Sequence, residues 1–136
     1  MTDMEKLQQW LQTFPGWSGV LTVDWLENKP DAAGLYPKGM REVSRKEDVL
    51  GNLRLRCRYT FGLRREVSPG QDNALWLLEL QNWVQTQSAL GLVPRIGEED
   101  VVIRAYDGKL SHRTGLGSEH YTVMLTVDFT KIYRGE

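Results

Sequence analysis

Residues 53 to 66, Leu-Arg-Leu-Arg-Cys-Arg-Tyr-Thr-Phe-Gly-Leu-Arg-Arg-Glu, alternate apolar and basic side chains almost without a break. Successive side chains leave opposite faces of a β-strand, so this alternation predicts a strand with one buried face. Leu53, Leu55, Cys57, Tyr59, Phe61 and Leu63 share one face, and Arg54, Arg56, Arg58 and Arg64 the other. At about 3.3 Å per residue the run spans roughly 46 Å, whereas a compact domain of 136 residues is only roughly 37 Å across. The strand therefore bends, with Gly62 the place for it, or projects as an arm. A projecting apolar face is an aggregation hazard unless another subunit covers it, so the pattern predicts assembly.

A length of 136 residues suits a single domain spanning 1–136. Apolar residues at 40 % and charged residues at 26 % describe a soluble globular chain. No stretch approaches the run of about twenty apolar residues that a membrane helix needs, so no membrane partner is expected. The start, Met-Thr-Asp-Met-Glu-Lys, lacks the basic and apolar segments of a signal peptide, which predicts synthesis in the cytoplasm. Cys57 is the sole cysteine and falls in the apolar register, the place of a small buried hydrophobe. A formal net charge of −1 argues against a dedicated nucleic-acid binder, whose affinity comes from a basic excess.

Thr2-x-x-Glu5 has the form of a capping box, and Met4, Leu7, Trp10, Leu11 and Phe14 follow at helical spacing until Pro15-Gly16. Val20 to Leu26 then alternates as a strand. Residues 27–49 contain Pro30, Gly34, Pro37 and Gly39 and show neither period, which predicts a long loop. Its Leu35, Tyr36 and Met40 suggest a loop that docks on a partner. After the long strand, Ser68 to Asp72 introduces a second helix over Ala74 to Gln87, with Trp76, Leu77, Leu80, Trp83 and Val84 on one stripe. Val101 to Tyr106 reads as a third strand, residues 107–118 as a flexible connection, and Tyr121 to Thr130 as a fourth strand. The order α-β-β-α-β-β predicts an α+β fold, an antiparallel four-stranded sheet with two helices packed on one face.

No pattern of reactive residues converges on an active site. His112 and His120 match no metal-ligand spacing and read as solvated loop residues. Gly115-Leu-Gly117 lacks the third glycine and flanking elements of a nucleotide loop, and Ser111-His112 stands outside any nucleophile elbow. No catalytic residue, cofactor or metal is therefore assigned. The Arg54, Arg56 and Arg58 stripe has three readings: a solvated face paired with carboxylates on adjacent strands, a subunit interface, or a lining that meets nucleic acid. In the second, Glu42, Glu47 and Asp48 of one subunit meet Arg54, Arg56 or Arg58 of its neighbour in a ring, and Arg64 is a further interface candidate.

Several segments together resemble small phage and prophage tail-completion proteins, tail terminators and the so-called minor capsid proteins among them. They are Trp-Leu-Gln-Thr-Phe-Pro, Leu-Thr-Val-Asp-Trp-Leu, Ala-Gly-Leu-Tyr-Pro-Lys-Gly, Glu-Val-Ser-Arg-Lys-Glu-Asp-Val-Leu-Gly-Asn and the long Arg-Tyr-x-Phe strand. The resemblance spans most of the chain and carries no catalytic signature. It implies a virion protein of the tail or neck whose α+β subunits close into a hexameric ring on the tail tube. It further implies contact with the tail tube protein and the head-tail connector, with genome DNA passing through the ring without sequence-specific contact. A head-closure connector of the same assembly is the alternative.

Overall fold

The computed structural model describes residues 1–17, 19–23, 32–70, 72–113 and 117–135. The first helix, α1, runs Asp3–Gln12, and its Thr2 cap accepts from the Glu5 backbone N–H at 3.1 Å. That bond satisfies one of the donors a helix start leaves free. Leu7 and Leu11 face the core, while Gln8 and Gln12 hold the first strand, β1 (Leu21–Val23), by its Leu21 carbonyl and N–H at 2.7 and 2.8 Å. The second helix, α2 (Asp72–Ala89), buries Trp76, Leu77, Leu80 and Val84 along one stripe. Rings join the two helices: Trp10 lies 4.9 Å from Trp83, and Phe14 lies 5.9 Å from Trp76.

The remaining strands are β2 (Ala32–Glu47), β3 (Leu53–Val67), β4 (Glu98–Arg113) and β5 (Glu119–Tyr133). They form one sheet in the order β1-β2-β3-β5-β4, with β1 parallel to β2 and the other pairs antiparallel. The expected four-stranded antiparallel sheet and the order α-β-β-α-β-β are thus corrected: among the described residues the sheet has five strands, is mixed, and the order is α-β-β-β-α-β-β. Cys57, Phe61 and Leu63 of β3 continue across to Phe129, Leu125 and Val123 of β5, and this face joins the helices in one core.

The additional strand is β2, within the stretch expected to be a loop over 27–49. Residues 27–31, and residues 24–26 of the strand expected over Val20 to Leu26, lie outside the described residues. From Pro37 to Glu47 every side chain of β2 is exposed, so no buried face imposes a period of two on the sequence. Among the described residues β1 pairs with Ala33 to Leu35, so beyond that point β2 has no described neighbour on its outer side, a setting in which Pro37 is tolerated. Gly39, at φ 130°, sits where the β2–β3 register slips, the conformation a bulge asks of glycine.

The connection expected over 107–118 is also corrected, because β4 runs on to Arg113. Asp107, at φ 54°, and Gly108 make a bulge between Tyr106 and Lys109 that kinks the strand without ending it. Residues 114–116 lie outside the described residues. The long β3 pairs along its whole length, from Leu53 opposite Tyr133 to Val67 opposite Glu119, and with β2 from Ala32 to Glu47. It is the middle of three strands that extend together.

Candidate assembly surface: the arm and the arginine face

Strand register fixes the partners of the arginine face. Arg58 lies opposite Asp128 and grips its carboxylate with both ends, Nε to Oδ1 at 2.6 Å and Nη2 to Oδ2 at 3.0 Å. Arg104 of β4 reaches the same carboxylate at 3.1 Å. Asp128 is only 8 % exposed. Burial pushes its pKa up, but the Arg58 hydrogen bonds and charge, with those of Arg104, outweigh burial and hold it below the usual carboxylate range. Arg56 Nη1 donates to the Asp100 carbonyl at 2.7 Å and to Thr130 Oγ1 at 2.9 Å, and Arg54 pairs with Glu99. Arg64 lies over the Tyr36 ring at 5.3 Å. Cross-strand pairing therefore engages Arg54, Arg56 and Arg58 inside the subunit.

The other residues singled out from sequence fall into three settings. Leu35 is fully buried in the subunit's own core, opposite Leu63. Tyr36 is half-buried, while Met40, Glu42 and Glu47 are exposed along the outer length of β2, with Glu42 held by Arg45 at 3.0 Å. Asp48 organises the turn that joins β2 to β3. Its carboxylate accepts from the Leu50 and Asn52 N–H groups at 2.9 and 3.0 Å and from Asn52 Nδ2 at 2.9 Å. Those bonds, chiefly with the Asn52 side chain and then its backbone, lower the Asp48 pKa.

That turn presents side chains the sequence reading did not single out. Val49 is fully exposed and Leu50 77 % exposed at its apex, and Met40, Val43 and Tyr133 are exposed along the strands behind it. The tip is rigid: Asp48 N–H bonds the Asn52 carbonyl at 3.0 Å, and Gly135 N–H bonds Asn52 Oδ1 at 3.1 Å, tying the end of β5 to the turn. Asp48-Val-Leu-Gly-Asn52 is a turn sequence, and a strand assigned to residues 41–47 would have exposed it as a hairpin apex.

His112 and His120, expected to be solvated loop residues, are instead cross-strand partners on β4 and β5 with ring centroids 4.2 Å apart. His120 Nε2 lies 3.7 Å from Glu66 Oε1. Among the described residues, no group of three or more His, Cys, Asp or Glu side chains is placed to hold a metal ion. No helix among them is long and apolar enough to cross a membrane. No protein-family model and no curated protein sequence matches the chain.

Proposed function

We propose that this chain is a structural subunit that closes with copies of itself into a ring, of the kind that caps a phage tail tube and joins it to the head connector. The observation that carries the proposal is the arm. Three paired strands end in a hydrogen-bonded turn that holds Val49 and Leu50 out in water, with Met40, Val43 and Tyr133 exposed nearby. Fully burying a Val or Leu side chain gains about 1.5–3 kcal/mol, so each arm that docks removes several kilocalories of unfavourable hydration. An arm and a different receiving patch on each subunit make a head-to-tail contact, which closes into a ring when the rotation allows.

The phage role rests on the resemblance of the quoted segments, and it brings the tail tube protein and the head connector as partners. A hexamer is the stoichiometry that resemblance implies, with DNA threading the opening without sequence-specific contact. The reading assigns no catalytic residue. Arg56 Nη1 and Arg58 Nε and Nη2 donate inside the subunit, and Arg58 has its charge balanced by Asp128, which weighs against the nucleic-acid alternative because phosphate binding draws on uncompensated cations. Electron microscopy of the purified protein, alone and mixed with tail tubes, tests the reading. Closed rings that sit on tube ends are expected; rings that bind only head connectors would move the role to head closure, and single subunits at every concentration would overturn it.

A further inference from the structure

Two histidines lie face to face where β4 ends and β5 begins. His112 and His120 are direct cross-strand partners, and Glu66 of β3 lies opposite His120, so the three share one face of the sheet. The imidazole rings are stacked, with centroids 4.2 Å apart and planes 13° from parallel. Glu66 Oε1 lies 3.7 Å from His120 Nε2 and also accepts from Ser118 Oγ at 3.0 Å. We infer that this pair is a pH-sensitive clasp, closed while the rings are uncharged and parted when both carry a proton.

Charge sets the direction. Histidine is the side chain that ordinarily gains its proton between about pH 5 and pH 8, and His112 is exposed, so water and protons reach the pair. Glu66 can balance one imidazolium. A second, stacked 4.2 Å from the first, meets an uncompensated like charge. The other groups around the pair give no relief on that face. One row along it, Arg64 of β3 and Lys109 of β4 flank Thr122, both of them cations, and β2 sets Ala32 opposite Glu66. Arg113 and Glu119 lie on the other face, where Arg113 Nε donates to Glu119 Oε2 at 2.8 Å and Asn73 Nδ2 of α2 to its Oε1 at 3.0 Å. The Arg113 hydrogen bond, followed by that of Asn73, holds the Glu119 carboxyl below the usual carboxylate range, so this second tie keeps its charge while the histidines titrate. The ladder is also interrupted here, because the pairing of β4 with β5 slips between Tyr106 and Lys109 and again between Leu110 and His112. As pH falls through the histidine range, the rings part and residues 109–113 loosen from β5, with the Arg113–Glu119 tie as the pivot.

Proton NMR and hydrogen exchange on the intact chain test the clasp. The two rings should show a mutual nuclear Overhauser contact at pH 8 and none at pH 5. Over the same interval, the N–H groups of residues 109–113 that face β5 should lose at least about tenfold of their protection, after correction for the intrinsic pH dependence of exchange. His112→Gln removes one ring from an exposed position, and His112→Phe keeps a ring there that cannot take a proton. Circular dichroism at pH 8 checks that both fold, and their protection should be nearly independent of pH. Wild-type rings that stay in contact at pH 5 would overturn the clasp. Unchanged wild-type protection would overturn it too, since the rings would then part without loosening β4. An equal loss of protection in both variants would assign the opening to another group, such as Glu66. Neither readout depends on subunit assembly, so these outcomes leave the ring reading untouched.

Discussion

Asp128 binds three strands together through one carboxylate, held by Arg58 from β3 and Arg104 from β4. Replacing Asp128 by Asn removes the charge while leaving both guanidinium groups in place, and should cost about 2 kcal/mol in urea unfolding. The pH dependence has a definite sign. The folded pKa lies below the unfolded one, so the pair's stabilisation is fully present above the ordinary carboxylate range near pH 4. It is lost as pH falls through the folded value. Unfolding free energy measured from pH 7 down to pH 3 should therefore drop for the wild type, and Asp128→Asn should drop less.

The same geometry changes what the arginine stripe predicts. Read as surface, Arg58 belongs to positions worth less than about 0.5 kcal/mol; opposite Asp128, Arg58→Glu sets two carboxylates against each other and should destabilise the subunit itself. The alternation of β3 made the stripe and its face legible, but the identity of each partner depends on register across three strands, which no local pattern encodes. Gly97 is a second residue-scale case. At φ 65° it lies against the Thr130 carbonyl, where a Cβ has no room, so Gly97→Ala should lower stability by at least about 1 kcal/mol.

Among the elements, β2 separates what a sequence pattern records from what a backbone does. Period-2 alternation records one-sided burial, and β3 and β5 show it because the helices cover one of their faces. Along Pro37 to Glu47 neither face is covered, so the strand is held by backbone bonds to β3 and leaves no apolar signature. Asp107-Gly108 misleads for the opposite reason, because turn-forming residues here serve a bulge inside β4. Hydrogen exchange reads β2 directly. Those backbone N–H groups of residues 37–47 that point away from β3 should exchange rapidly in dilute protein and slow on assembly, whereas β3, flanked on both sides, should be protected in both states. Equal rates for β2 in the two states would place the contact away from this edge.

At the scale of the molecule, the chain carries an exposed apolar tip at Val49 and Leu50, with an open groove of mixed polarity between α2 and β4. The length of β3 was legible in the sequence, and it asked for either a bend at Gly62 or a projecting arm. The groove was not legible, because it forms only where α2 lies along the edge of β4, a tertiary arrangement with no signature in either segment. The exposed tip makes self-assembly the central claim. Sedimentation equilibrium over a wide concentration range tests it most directly. The wild type should settle at one fixed multiple of the 15.6 kDa subunit, a closed hexamer, while Val49→Ser/Leu50→Ser remains a monomer. A wild type that stays at 15.6 kDa throughout would contradict the claim.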